Sequence, residues 1–184
     1  PDPLKTHPVF LCVDDTMVSK SGKKFENVSK LFNHAAHNGS NYLNGHCFVS
    51  IMLCVPVLDH DKISYLSVPL GYGYRMWQKK ESKLELAASM IRQVMPEFLS
   101  KEHVIILCDS WYTKKNLVSI IDEYPNLDLI GNARIDSVMY DLAPERTGRR
   151  GRPAKHGKRL CVETDFTFSK EKIGDYYTGV RRVF

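Results

Sequence analysis

Three aspartates stand at the ends of two apolar runs. Val9, Phe10, Leu11, Cys12 and Val13 lead into Asp14 and Asp15, and Val104 to Cys108 leads into Asp109. Five apolar residues in a row suit a strand buried on both faces. Two adjacent carboxylates at the end of such a strand are costly without a positive partner, which a helix N-terminus, a lysine or a metal ion can supply. Carboxylates delivered by two strand ends form a hard oxygen site suited to Mg²⁺. A pair of such ions activates water and stabilises the leaving oxygen of a phosphodiester. A strand that ends in Asp also serves simply to cap the following turn, and the pattern alone leaves both readings open.

The elements that must position these residues follow from periodicity. Residues 45–58 form a long apolar strand, closed by a turn at Asp59 to Lys62. The alternating run 62–70 pairs with it as an antiparallel hairpin that continues from the first strand. Gly71 to Arg75 lacks the third glycine and the lysine of a nucleotide cradle and reads as a loop. Ser82 and Glu85 form a capping box, and Leu84, Ala87, Ala88, Ile91 and Met95 keep a helical stripe that Pro96 stops. The strand at 104–108 comes next. Thr113 is placed to cap a helix with the stripe Leu117, Ile120, Ile121 and Tyr124, and a short strand spans 127–130. Three antiparallel strands followed by helix–strand alternation predict an α/β fold: a mixed sheet with helices packed on it. Beyond it, the alternation over 160–168 and the stretch 176–184 predict further strands, in a β-rich appendage entered through a basic loop.

The chain has 184 residues, enough for one sizeable α/β domain with an appendage. No run is long enough to span a bilayer, and the first residues lack a secretory signal pattern. The five cysteines include no C-x-x-C pair. Cys12, Cys47, Cys54 and Cys108 lie in apolar runs and read as buried, reduced thiols. His34 and His37 have the spacing of a helical ligand pair but are read as surface residues.

The net charge is +5, and residues 146–159 concentrate seven of the lysines and arginines. Clustered positive charge of this kind fits a polyanionic partner. Arg149, Arg150, Arg152, Lys155, Lys158 and Arg159 are candidate DNA contacts, with Lys20 and Lys23 after the first strand. The core Arg150-Gly-Arg-Pro153 resembles a minor-groove hook. Nonspecific phosphate contact by a loop is the alternative, and it also implies DNA.

Four of these segments together resemble the DDE-type transposases of bacterial insertion sequences, in the cut-and-paste group. They are residues 13–24 with Asp14, Asp15 and Thr16; the strand from Gly45-His46; the helix from Lys83 to Ala87; and Cys108 to Tyr112 with its D-x-x-Y form. The basic stretch 150–157 is similar to a segment found in such proteins. The resemblance implies a ribonuclease H-like catalytic core over residues 1–134, incomplete because its final helix is missing. It implies that 135–184 is a truncated basic loop and β-rich insertion. It implies that Asp14, by the family's D-x-T reading, and Asp109 hold Mg²⁺ or Mn²⁺, with Asp15 as the alternative to Asp14. A third carboxylate, a glutamate, is expected on a later helix. Glu163 and Glu171, lacking helical context, are not nominated. The implied activity is metal-dependent cleavage of double-stranded DNA at transposon ends and joining of the 3′-hydroxyl to target DNA. A homodimer working in the bacterial cytoplasm at the nucleoid is the implied setting. A non-catalytic DNA-binding domain and another ribonuclease H-like nuclease are the alternatives.

Overall fold

The computed structural model describes residues 2–22, 24–32, 41–77, 81–134, 136–145, 151–181 and 183. The chain divides into two compact units, Pro1–Ala133 and Arg134–Phe184.

The first unit is built on one mixed sheet. Its strands are β1 (Val9–Ser19), β2 (Ser29–Phe32), β3 (Tyr42–Asp59), β4 (Lys62–Met76), β5 (Val104–Cys108) and β6 (Leu127–Gly131). The order runs β2-β3-β1-β5-β6, with β4 also paired to β3. The β1–β3 and β3–β4 pairs are antiparallel, whereas β1–β5 and β5–β6 are parallel. Parallel pairing requires crossovers, and the helical segments of the chain supply them. Helix α1 (Lys83–Val94) links β4 to β5. The short α2 (Lys115–Val118) and a 3-10 turn (Ser119–Glu123) link β5 to β6. The β3–β4 hairpin closes on His60 and Asp61, whose positive φ values of 44° and 63° are those of a tight primed turn.

The capping box forms as expected. Ser82 Oγ accepts from Glu85 N, and Glu85 Oε2 accepts from Ser82 N, both at 3.1 Å. Such a cap contributes about 1 kcal/mol and fixes the helix start. The buried face of α1 is wider than the predicted stripe and adds Leu86, Met90 and Val94. It packs on Leu11 and Val13 of β1, Val49 and Ile51 of β3, and Val104 and Ile106 of β5. Pro96 lies in a 3-10 turn (Met95–Glu97) that follows the helix.

Several expectations are corrected. Residues 71–75 continue β4 rather than forming a loop. The strand β2 is additional to the predicted strands; it pairs with only four residues of β3. Thr113 does not cap α2, whose N-cap is Lys114 with no side-chain bond. Its hydroxyl instead donates to the carbonyls of Ser110 and Asn132. Cys47 is buried, but Cys12, Cys54 and Cys108 are only partly so. His34 and His37 lie outside the described residues.

Gly45 shows how tightly the sheet is built. A Cβ there would stand 2.2 Å from the carbonyl oxygen of Val18 on the paired strand. Backbone cannot swing away as a side chain can. Gly45→Ala is therefore expected to destabilise the protein by about 1–3 kcal/mol, read as a lowered denaturation midpoint with an unchanged slope.

The second unit has short elements: β7 (Met139–Tyr140) paired with β8 (Arg159–Leu160), a one-turn helix α3 (Val162–Asp165), and a hairpin of β9 (Lys172–Ile173) and β10 (Tyr176–Tyr177). The strand expected over 160–168 gives way to α3. Asp165 there accepts from Cys161 N and Lys158 Nζ, which closes a turn instead of extending a strand. Glu163 thus has a helical setting after all, though a single turn and exposed. The strand expected at 176–184 is confined to Tyr176–Tyr177.

Candidate metal and nucleic-acid site

The burial pattern of β1 separates the two adjacent aspartates. Val9, Leu11 and Val13 are buried toward α1, while Phe10 and Cys12 are half-buried on the opposite face. Side chains alternate along a strand. Asp15 therefore shares the α1 face, and Asp14 the other. Apolar residues on both sides of the strand hide this in the sequence.

Asp15 is occupied. Its Oδ2 accepts from Lys83 Nζ at 2.8 Å and from the Cys47 thiol at 3.3 Å, and its Oδ1 from the Tyr112 hydroxyl at 3.1 Å. Lys83 is the first residue of α1, so the capped helix start delivers it to Asp15 in the middle of β1. The counter-charge demanded by two adjacent aspartates is this lysine. Burial, reinforced by the Asp15 charge, pushes the Cys47 thiol up to about 11 and raises the Tyr112 phenol far above its ordinary value. Both groups stay protonated and serve as donors.

Asp14 and Asp109 are differently placed. Both are exposed. The parallel register of β1 and β5 sets Val13 opposite Cys108. One residue further on, Asp14 in the middle of β1 comes beside Asp109, which directly follows β5; neighbouring strands run ~4.8 Å apart. The first strand therefore does not end on its aspartates, as its apolar run suggests, but continues to Ser19 in its pairing with β3. Asp109 Oδ1 accepts from the backbone N–H groups of Trp111 (2.9 Å) and Tyr112 (3.2 Å). The turn-capping reading of Asp109 thus holds for one of its oxygens. Asp14 Oδ1 accepts from Asp15 N at 2.7 Å. Among the described residues the second oxygen of each receives no hydrogen bond.

All three carboxylates line one open pocket of about 380 Å³. Trp77, Trp111, Phe32, Lys30 and Lys83 complete much of its wall. Trp77 is held by its indole N–H, which donates to the Glu81 carbonyl at 2.7 Å. The ammonium groups of Lys83 and Lys114 lie 4.9 and 4.7 Å from the Trp111 ring centre. Sequence reasoning did not nominate Lys30, Lys83, Trp77, Trp111 or Tyr112 as site residues, although Lys83 and Tyr112 lie in segments that carry the family resemblance. The available signals were the capping box, which fixes Lys83 at the helix start, and the position of Trp111 and Tyr112 directly after Asp109.

Two hard carboxylates with free oxygens, exposed on the neighbouring β1 and the end of β5, fit a divalent ion with open coordination positions. Among the described residues no group of three or more His, Cys, Asp or Glu converges as a metal cage.

The predicted DNA-contact residues fall into three groups. Lys20 follows β1, with its ammonium 5.5 Å from the Phe25 ring centre. Lys23, Arg149 and Arg150 lie outside the described residues. Arg152, Lys155, Lys158 and Arg159 are exposed in the second unit. Of these, Lys158 is engaged by Asp165 at 2.5 Å. The second unit holds twelve of the 26 lysines and arginines and seven of the 21 acidic residues, so it carries the whole net charge of +5. Among the described residues no helix is long and apolar enough to cross a membrane; this does not bear on β-barrels.

A protein-family model described as DDE superfamily endonuclease matches residues 2–176. No curated protein matches the chain.

Proposed function

The chain belongs to the DDE superfamily endonuclease family, as a DDE-type transposase-like protein, and from that premise we propose that it is the catalytic core of a DNA transposase. The family implies a DNA substrate, and its members generally use divalent metals. Our finer reading is of a ribonuclease H-like core that hydrolyses phosphodiesters at transposon ends and transfers the 3′-hydroxyl to target DNA. The observation that carries it is the placing of Asp14, in the middle of β1, beside Asp109, just after the parallel β5, each with a free oxygen, over one pocket. The sheet order supports the fold assignment, with β1, β2 and β4 each antiparallel to β3, and the parallel β5 and β6 added beside β1. In this reading residues 1–134 form the core and 135–184 an insertion, and the working form is a homodimer on paired DNA ends.

Asp14 and Asp109 hold Mg²⁺ or Mn²⁺. A divalent ion bound there lowers the pKa of an attacking water and offsets charge on the leaving oxygen. Asp15 does not bind the ion; it anchors Lys83 and ties the middle of β1 to the start of α1. Lys20, Lys23 and the basic residues 149–159 contact phosphates.

The test is cleavage of duplex DNA carrying candidate end sequences, in Mn²⁺ and in EDTA. The expected result is nicking in Mn²⁺ alone. DNA binding without nicking under any divalent ion would favour the second reading, a DNA-binding domain, to which the absence of a three-ligand cage among the described residues lends weight.

The basic segment makes a separate prediction. Replacing Arg149, Arg150 and Arg152 with alanine is expected to weaken binding uniformly across sequences. The slope of log K against log salt should fall by about 0.9 for each phosphate no longer neutralised. An unchanged slope in a fluorescence-anisotropy titration would remove the segment from the interface.

A further inference from the structure

We propose that Cys12, Cys54 and Ser67 form a second metal site, for a zinc ion, on the face of the sheet opposite α1. The site shares no ligand with the carboxylates and does not depend on the nuclease reading.

The sheet register brings the two thiols together from positions 42 residues apart. Phe10 pairs with Cys54 and Cys12 with Met52, so Cys12 and Cys54 are diagonal neighbours on the antiparallel strands β1 and β3. On β4, Ser67 stands directly opposite Cys54. Residues that are paired, or two positions from the pair, share one face of a sheet. Cys12 and Cys54 are half-buried on that face and Ser67 is exposed, so an ion can reach them from solvent.

The spacing is that of a tetrahedral centre. Cys12 Sγ and Cys54 Sγ lie 3.8 Å apart, and Ser67 Oγ lies 3.4 Å from Cys54 Sγ. Two thiolates that bind Zn²⁺ at ~2.3 Å, with a tetrahedral angle between them, stand ~3.8 Å apart. A thiolate and an oxygen ligand of the same ion stand ~3.6 Å apart. Both edges of the tetrahedron are thus nearly in place, with Cys54 at their shared corner, and a water would fill the fourth position. The register disfavours the rival use of a thiol pair. Diagonal neighbours stand up to ~7–8 Å apart, whereas a disulfide needs Cβ atoms within about 4.5 Å. An ion spans that gap, while a disulfide would have to draw the strands together.

The donors also separate this site from the carboxylates. Soft thiolates select Zn²⁺ over Mg²⁺, and hard oxygens suit Mg²⁺ or Mn²⁺. As Zn²⁺ binds, the two thiols release their protons to solvent. The bound ion ties β1 to β3 and β4 two residues before Asp14, and so braces the strand that carries that carboxylate.

The experiment titrates the reduced 184-residue chain with Co²⁺. Sulfur-to-cobalt charge-transfer absorption reports ligation by thiolate and not by carboxylate. The expected result is a band that saturates at one ion per chain, disappears on addition of Zn²⁺ and survives excess Mg²⁺. Cys12→Ala and Cys54→Ala should each cost about a hundredfold or more in affinity, beyond the loss that follows removal of an outer partner of a metal site. Cys12→Val, whose side chain suits an apolar strand, should show the same loss with its packing kept. Cys161→Ala should leave the band unchanged. The proposal is overturned if the parent chain gives no band, or if Cys12→Val and Cys54→Ala leave it intact. Recovery of Cys12 and Cys54 joined as a disulfide from the untreated protein would overturn it as well.

Discussion

Asp14→Asn and Asp109→Asn are each expected to cut metal-dependent DNA cleavage to roughly a thousandth of its starting rate while leaving the fold intact. A catalytic ion supplies several kcal/mol of transition-state stabilisation, and each ~1.4 kcal/mol is a factor of ten. The asparagine substitution is chosen for its geometry. Asp109 Oδ1 caps the turn through Trp111 N and Tyr112 N, and an amide oxygen can accept the same two bonds. Asp14 Oδ1 accepts only from Asp15 N, which an amide also preserves. Both variants therefore remove the charge and keep the local structure. Calorimetric titration with Mn²⁺ should show binding lost in each, with thermal midpoints near that of the parent. Asp15→Asn provides the contrast. It should lower stability by leaving Lys83 without its carboxylate, and it should spare Mn²⁺ binding. Loss of Mn²⁺ binding in Asp15→Asn with retention in Asp14→Asn would exchange the two roles.

Lys83→Met is expected to be the most damaging single change outside the apolar core. It leaves Asp15 charged and mostly buried: the side chains of Lys83 and Asp15 are only 19% and 14% exposed. Breaking a buried pair by removing one partner costs about 3–5 kcal/mol, and the residual exposure here reduces that to about 2–3 kcal/mol. The double variant Lys83→Met/Asp15→Asn should recover much of the loss, because the neutral amide leaves no unpaired buried charge and its oxygen can still accept from the Tyr112 hydroxyl, while its NH2 group faces the Cys47 sulfur, a weak acceptor. Urea denaturation of the four species closes the cycle. A double variant as unstable as the single one would mean that the lysine acts by packing along its stem and not by its charge.

The legible parts of the fold were those with a local cause. The capping box at Ser82 and Glu85 marked the start of α1 to the residue, and the apolar run ending at Cys108 marked β5; the run ending at Val13 marked only the first half of β1, which continues to Ser19. The hairpin of β3 and β4 followed from one long run, a polar turn and an alternating return. What stayed hidden depended on contacts distant in sequence. Lys83 meets Asp15 across 68 residues, and Tyr112 meets it across 97. The choice between Asp14 and Asp15 depended on which face of β1 met α1, and both faces are apolar. The second unit departs from its periodicity for a different reason. Leu160 is its one buried hydrophobic residue among those described, so side-chain bonds and turns decide its short elements more than alternation does. Thr113 shows the same limit: its position suited a cap, but a carbonyl just past the β6 end competed for its hydroxyl.

The Tyr112–Asp15 bond also bears on the order in which the protein folds. The β3–β4 hairpin closes a tight turn and can form within microseconds. The strand pair β1–β5 and the bond from Tyr112 must close a loop of nearly a hundred residues, and loop-closure entropy delays such contacts. The two strands that bring Asp14 and Asp109 together are thus set side by side late, after the hairpin and α1 have given them a surface to dock on. A chain emerging from the ribosome carries no assembled carboxylate pair until β5 has been made and has inserted beside β1. On the proposed reading, the nuclease site stays unassembled until the sheet around it is complete.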